Sequence, residues 1–229
     1  MGEGTMRFQP GTMRRKDIVE IVHSLTFPET VKDWGAADPT GWTIAHEAAR
    51  QRKLPRGFNN WGLQTLELWT VAHEAARSRC LPRGFKFWFF EDQHCWTVAH
   101  EAARYRIFQP DFEYWYKSDN TGWTVAHEAV RWGKLPQGFD LWKMPDCTGW
   151  SVAHEAARWG RLPPDFDKWD ISDDQGRKVA HVAARYGHLP KGFKRWWLMD
   201  YNGLSVAHVA KRWGHLPEDF PEDWRNLEG

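Results

Sequence analysis

The chain has 229 residues, with 31 basic and 30 acidic side chains, and is long enough for one or two ordinary domains. Because these charges nearly cancel, the composition argues against a protein held to nucleic acid by its overall charge. The sequence shows no apolar stretch typical of a membrane span or a signal peptide, and its three irregularly spaced cysteines fit neither a disulfide framework nor a zinc site. We therefore expect a cytoplasmic protein with no cofactor, metal or membrane contact.

One unit repeats along the chain with a period of 27 residues. It reads roughly D-x-x-G-W-T-V-A-H-E-A-A-R-x-G-x-L-P-x-x-F-x-x-W. Its most regular residue is a histidine, and these residues form the histidine column: His46, His73, His100, His127, His154, His181 and His208. A fixed period of this kind is typical of solenoids, in which each unit buries its apolar face only against its neighbours.

The repeat pattern divides the chain into three parts. Residues 1–14 precede it and are predicted to form a disordered tail. Residues 15–40 are a degenerate repeat in which larger side chains such as Ile18 replace alanines, as expected of an N-terminal cap. Residues 41–229 form seven repeats, and the last has a polar, acidic end that suits a C-terminal cap.

Each repeat begins with a predicted short helix. In the first repeat Thr43 is a suitable N-cap, and the helix covers residues 44–50. Its three alanines leave room for neighbouring helices to approach closely. A glycine follows this helix in the later repeats and favours a left-handed turn, whereas Arg52 and Arg79 occupy that position earlier, at a small energetic cost.

A second helix of about two turns is predicted after the Leu-Pro pair. In the first repeat Pro55 suits the first helical position, and Leu54, Phe58 and Trp61 then fall on one face. A helix this short is stable only when packed, so its aromatic residues should lie in the core. The core-tryptophan column comprises Trp34, Trp61, Trp88, Trp115, Trp142, Trp169 and Trp196.

The first half of each unit resembles the ankyrin repeat, which reads D-x-x-G-x-T-P-L-H-x-A-A-x-x-G. Residues 119–129 read D-N-T-G-W-T-V-A-H-E-A, and Gly133 follows. The unit differs in having Val or Ile in place of the proline, the Leu-Pro-x-x-Phe-x-x-Trp segment, and a period of 27 rather than about 33 residues. The resemblance implies an all-α, ankyrin-like helical-repeat solenoid with short second helices and short turns.

The His-Glu pair of each repeat invites comparison with metalloproteases. Their H-E-x-x-H motif needs a second histidine four residues after the first, where this chain has arginine, as at Arg50 and Arg77. The ankyrin resemblance instead implies that each ring is hydrogen-bonded to neighbouring turns. We therefore expect structural histidines and no enzyme activity, with a metal-dependent hydrolase as the weakest alternative.

A glutamate follows each of the first five histidines, and an arginine lies three residues later on the same helix. These pairs should stabilise the repeats by a few tenths of a kcal/mol each. The glutamate column (Glu47, Glu74, Glu101, Glu128 and Glu155) ends at Val182 and Val209. This change creates a different surface toward the C-terminus, where we expect a local contact site.

The ankyrin resemblance also implies which residues face a partner. The turn-tryptophan column follows the turn glycine: Trp42, Trp69, Trp96, Trp123 and Trp150. The helix-end arginines include Arg131, Arg158 and Arg185. The helix-end aromatic column follows them: Tyr105, Trp132, Trp159, Tyr186 and Trp213. Tyr, Trp and Arg dominate binding hot spots, although Trp and Arg could instead stack on one another as cation–π pairs.

These features predict a monomeric module that binds a protein partner on its aromatic and arginine-lined face, acting as a scaffold, an effector or an occluding inhibitor. The alternative is binding of single-stranded nucleic acid, with bases stacked on tryptophans and phosphates contacted by arginines. The near-zero net charge and the interleaved acidic residues disfavour that alternative.

Overall fold

The computed structural model describes residues 13–26, 28–106, 108, 112–218 and 220. Their regular structure is helical, apart from isolated β-bridges. After α1 (Arg15–Ser24) and a 3-10 turn at Pro28–Thr30 come seven short helices: α2 (Ile44–Arg50), α3 (Val71–Arg77), α4 (Val98–Ala103), α5 (Val125–Arg131), α6 (Val152–Arg158), α7 (Val179–Tyr186) and α8 (Val206–Arg212). The predicted all-α repeat architecture is confirmed.

The chain forms two compact units, Met1–Tyr105 and Arg106–Gly229. In the first unit α1 packs on α2, α2 on α3 and α3 on α4. In the second unit α5 packs on α6, α6 on α7 and α7 on α8. Neighbours in sequence are therefore neighbours in space, as expected of a repeat stack.

Capping and small side chains explain why these short helices form. The Thr43 hydroxyl accepts a hydrogen bond from the His46 amide at 3.2 Å, which satisfies one of the free amides at the helix start. Ala45, Ala48 and Ala49 are fully buried. Because alanine adds so little bulk, the next helix can pack directly against the backbone.

The predicted second helix is wrong for the described residues. After Pro55 the chain makes a single turn, in which the Phe58 amide donates to the Pro55 carbonyl at 3.2 Å. Gly57 then has a φ of +80°, a left-handed conformation that ends helical geometry after less than one turn. Each repeat in this part of the chain therefore pairs one α-helix with a series of turns.

The aromatic residues of that segment nevertheless pack as expected of a core. Phe58 and Trp61 meet edge to face with ring centres 5.0 Å apart, and Trp61 meets Phe85 of the next repeat at 5.4 Å. The same alternation recurs in the second unit, where Trp142 contacts Phe139 and Phe166. Edge-to-face pairs of this kind are favourable beyond the area they bury, so the aromatic rings replace the packing that a second helix would have supplied.

The D-x-x-G segment forms a tight turn closed by one antiparallel bridge, between Ala37 and Thr43 in the first repeat. The Asp38 carboxylate accepts from the Thr40 amide at 2.9 Å and the Trp42 amide at 3.1 Å. Successive turns are also joined, since the Leu66 amide donates to the Thr40 carbonyl at 2.9 Å. The turns therefore stack along each unit through backbone hydrogen bonds.

The segment predicted as an N-terminal cap packs its apolar face on the first repeat. Ile18 and Val22 on α1 are fully buried and contact a cluster that includes Ala36, Ile44 and Ala48. Residues 1–12 of the predicted tail and residues 221–229 of the predicted C-terminal cap lie outside the described residues.

Candidate binding face

The histidine column connects consecutive repeats. Nδ1 of His46 accepts a hydrogen bond from the Thr43 amide at 3.2 Å, and its Nε2 lies 3.0 Å from the Trp69 carbonyl in the next repeat. The same connection to the following repeat recurs at His73, His127, His154 and His181. These histidines are hydrogen-bonded to neighbouring turns, as the ankyrin resemblance implied.

These hydrogen bonds determine the protonation state of the ring. An amide can only donate and a carbonyl can only accept, so His46 is neutral, with its proton on Nε2. Burial lowers the pKa of His46 and of His73 to about 4, which keeps both rings uncharged near neutral pH. Because both ring nitrogens are already engaged, neither offers a free lone pair to a metal ion.

No group of three or more His, Cys, Asp or Glu side chains in the described part of the chain is arranged to hold a metal ion. No described helix is long and apolar enough to cross a membrane.

The turn-tryptophan column is half-buried between histidines and arginines. The Trp69 ring lies against His73, with ring centres 4.6 Å apart, and the Arg77 guanidinium lies 4.4 Å from the Trp69 ring centre. Arg15 covers Trp42 in the same way at 3.8 Å. These contacts leave only part of each ring open to solvent.

The glutamate column is almost completely buried beneath this face. Oε2 of Glu74 accepts from the Trp69 indole nitrogen at 3.2 Å, and Trp150 donates to Glu155 in the same way at 3.2 Å. Burial raises the pKa of the Glu74 carboxyl group. The sequence indicated Glu–Arg pairing but gave no sign that an indole would be the inner partner.

Arginines complete the carboxylate contacts in the first unit. Arg50 pairs with Glu47 on its own helix at 2.9 Å, which is the predicted spacing of three residues. Arg77 instead reaches Glu101 in the next repeat at 3.2 Å, and Arg104 approaches the same glutamate at 3.4 Å. These pairs connect repeats as well as residues of one helix.

The first repeat lacks the indole hydrogen bond. Nε1 of Trp42 and Oε2 of Glu47 are both buried without a hydrogen-bond partner. Arg50 and Gln51 both donate to the other carboxylate oxygen of Glu47, at 2.9 and 2.8 Å. Buried polar atoms without partners are rare, so this repeat provides a natural comparison for the others.

The helix-end aromatic column is exposed throughout the second unit. The side chains of Trp132, Trp159, Tyr186 and Trp213 are 49%, 43%, 38% and 48% exposed. Trp132 and Trp159 are also anchored, since their indole nitrogens donate to Glu128 and Glu155 at 2.8 and 2.7 Å. The remaining member, Tyr105, belongs to the first unit and lies under Arg79, with the guanidinium 4.7 Å from its ring centre.

Exposed arginines lie between these rings. Arg158 is 5.7 Å from the Trp159 ring centre and 6.0 Å from that of Tyr186. Arg185 is 4.7 Å from the ring centre of Trp213 in the next repeat. Arg131 is exposed at the end of α5. Large aromatic and cationic groups therefore alternate along one face of the second unit.

A set of residues that was not identified from the sequence joins several helix ends to the next repeat. The residue before Leu-Pro donates to a carbonyl near the end of the helix in the preceding repeat: Lys53 to Val22 at 2.9 Å, His188 to Ala157 at 2.8 Å and His215 to Ala184 at 2.9 Å. Arg161 donates to the Val130 carbonyl at 2.7 Å. The sequence did contain a sign of these contacts, because the residue before Leu-Pro varies between repeats but is a hydrogen-bond donor in each of these cases.

No family model matches the sequence, and no curated protein matches it. Among solved structures, the chain is similar to the ankyrin repeat domain of Bcl-3, described as a unique member of the IkappaB protein family. The TM-score is 0.54 at 20% sequence identity, and the match covers 74% of this chain and 94% of that one. The chain therefore has an ankyrin-repeat fold, in agreement with the resemblance seen in its sequence.

Proposed function

We propose that this chain is a non-catalytic module that binds a protein partner through the helix-end aromatic column and adjacent arginines of its second unit. The observation that supports this most strongly is the exposure of a large aromatic ring at the same position in four consecutive repeats. Exposed aromatic and arginine side chains grouped on one face are typical of interaction hot spots.

The fold supports the same proposal. Ankyrin-repeat folds commonly mediate protein–protein interaction and are typically non-enzymatic scaffolds. The glutamate column and the histidine column up to His181, whose residue types suit catalysis, are buried, and His46 and Glu74 show how they are hydrogen-bonded within the stack. Exposed residues on the face are therefore left to provide the function, as a scaffold, an effector or an occluding inhibitor in the cytoplasm.

The experiment is affinity capture from a lysate of the native host, using the wild-type chain and the double variant W132Q/W159Q. Glutamine removes the exposed ring while keeping an amide donor for the buried glutamate, as Gln51 does for Glu47. We expect the captured protein to be lost with this variant and kept with W197A, which truncates an exposed tryptophan outside the column. Equal capture by wild type and W132Q/W159Q would refute the proposed face.

Single-stranded nucleic acid is the second candidate, because exposed Trp and Arg side chains also suit bases and phosphates. Nuclease treatment of the lysate separates the two candidates. A protein retained after nuclease supports protein binding, whereas capture that disappears with nuclease, and oligonucleotide affinity that falls steeply with salt, would support nucleic acid.

A further inference from the structure

An open groove of about 1030 Å³ lies beside α7 and α8 in the second unit. Val182 and Val209, at the positions where the glutamate column ends, form part of its lining. The exposed rings of Tyr186 and Trp213 also line it. The groove thus joins an apolar surface to the C-terminal half of the helix-end aromatic column.

Two linked changes in the repeat create this groove. In the fifth repeat the Trp150 indole donates to the buried Glu155 carboxylate at 3.2 Å. In the sixth repeat both partners change together, to Arg177 and Val182, and in the seventh they become Leu204 and Val209. A buried carboxylate that lost its indole donor would be costly, so the paired replacement gives the last two repeats an apolar surface.

The same replacement changes the charge of the surface. Arg177, Arg185, Lys211 and Arg212 line the groove, and Asp200 is the single carboxylate among its described lining residues. Asp173 offsets the charge of Arg177 from outside the lining, which leaves a surplus of two positive charges (4 − 2 = 2). His181 also lines the groove, and burial lowers its pKa, so it adds no charge near neutral pH.

Two of the cations are held in place by their neighbours. Arg177 is paired with Asp173 at 2.6 Å, and Arg185 lies 4.7 Å from the Trp213 ring centre. The carboxylate of Asp173 already occupies Arg177, whereas the Arg185 guanidinium is held at the edge of an apolar surface and is well suited to bind a carboxylate in a bidentate way. The volume is at the upper end of the range of ligand sites, about 300–1,000 Å³, and therefore suits several residues of a peptide.

We infer that this groove binds an acidic peptide segment of the partner, with a bulky apolar side chain placed against Val182 and Val209 and flanking carboxylates paired with the arginine and lysine side chains. The inference rests on the proposed function, since it specifies the chemistry of the protein partner. Charge complementarity favours this occupant over a neutral or basic peptide.

The test is selection from a phage-displayed library of random 12-residue peptides on the wild-type chain. We expect enriched peptides to have two or more Asp or Glu residues within four positions of Trp, Phe or Leu. Their synthetic versions should bind at least tenfold more weakly to R177W/V182E, measured by fluorescence polarisation. That variant recreates the Trp–Glu arrangement of the fifth repeat, so the chain already contains the packing that it needs.

A second variant and a control separate charge from shape and from folding. R185Q/K211Q leaves the apolar surface intact and should also weaken the acidic peptides at least tenfold, with a smaller salt dependence. W197A truncates an exposed ring that neither lines the groove nor belongs to the helix-end aromatic column, and should leave their affinity unchanged. Thermal unfolding of all variants shows whether any loss of binding comes from a loss of folded protein.

The remaining outcomes would overturn the inference. It fails if no peptide is enriched, if the enriched peptides have no acidic bias, or if they bind R177W/V182E as tightly as wild type. It also fails if a (dT)12 oligonucleotide binds the wild-type groove and displaces the peptides. The two proposals can fail separately. If the groove experiment fails but W132Q/W159Q still loses the captured protein, the proposed function stands. If acidic peptides bind the groove but W132Q/W159Q captures as much protein as wild type, only the aromatic face is refuted.

Discussion

Nε2 of His46 donates a hydrogen bond to the carbonyl oxygen of Trp69, 3.0 Å away in the next repeat, while Nδ1 of the same ring accepts from the Thr43 amide. One neutral side chain therefore joins the start of its own helix to the following turn. Protonation of Nδ1 would break the contact with the amide and place a charge on a buried ring, so the stabilising contribution of this side chain depends on pH.

We expect stability to fall as the pH is lowered from about 6.5 to about 4. Burial lowers the pKa of His46, His73, His154 and His181 in the folded chain, to about 4 for His46 and His73. The unfolded chain then binds more protons throughout this window, and each such histidine should reduce the free energy of unfolding by about 1.4 kcal/mol per pH unit. Their contribution is fully present above pH 6.5.

Urea unfolding measured between pH 4 and 8 checks this dependence. The variant H73Q should have a slope smaller by about 1.4 kcal/mol per pH unit between pH 5 and 6. Replacement of the exposed His94 by glutamine should leave the slope unchanged. A free energy of unfolding that stays constant from pH 7 to 5 would show that these rings do not govern acid stability.

The turn glycines should differ in their tolerance of alanine although their backbone conformations are the same. Gly122 and Gly203 have φ values of +79° and +78°. A Cβ at Gly122 would overlap the backbone nitrogen of Cys147, whereas no described atom lies within 4 Å of a Cβ at Gly203. Both substitutions incur the left-handed strain of about 1–2 kcal/mol, and only G122A adds the clash between repeats.

Chemical denaturation of G122A and G203A measures that difference. We expect G122A to be less stable than G203A by about 2 kcal/mol or more. Equal losses would mean that the close approach of successive turns adds nothing to the requirement for glycine.

Arg52 is held in a left-handed conformation, with a φ of 58°, at a position where later repeats have glycine. Replacement by glycine should remove about 1–2 kcal/mol of strain from the folded state. It also gives the unfolded chain more conformational freedom, which lowers stability by about 0.5–1 kcal/mol. We expect R52G to raise the free energy of unfolding by about 0.5–1 kcal/mol. The control is R52A, which keeps the strain and should give no gain; stabilisation by both variants would instead implicate the arginine side chain.

The indole hydrogen bond to the glutamate column can be measured by comparing two repeats. W69F removes the donor to Glu74, and we expect a loss of about 1.5–3 kcal/mol because the acceptor is a buried charged group. W42F makes the same change in the first repeat, where the Trp42 indole nitrogen has no hydrogen-bond partner. Its loss of stability should therefore be smaller than that of W69F by most of this amount. Thermal or urea unfolding gives both values, and similar losses would assign the effect to ring packing.

Some features of this fold follow from local sequence. The Thr43-x-x-His46 cap is formed by residues three positions apart. Left-handed residues after the helix follow from the glycine pattern, with Arg52 and Arg79 as strained exceptions. The second helix was predicted wrongly because the apolar spacing of Leu54, Phe58 and Trp61 was given more weight than Gly57, which lies directly before Phe58. A positive φ at that glycine is a local property, so the sequence did contain the relevant signal.

The sequence by itself determined the 27-residue period, the helix in each repeat and the nearest-neighbour order of packing, because these depend on spacing and on contacts within a few residues. It also identified the aromatic columns. Only the tertiary structure decided that Glu74 is buried beneath Trp69 while Trp132 and Trp213 are exposed. Burial depends on how closely one repeat approaches the next, and that distance is fixed by the packing of whole repeats.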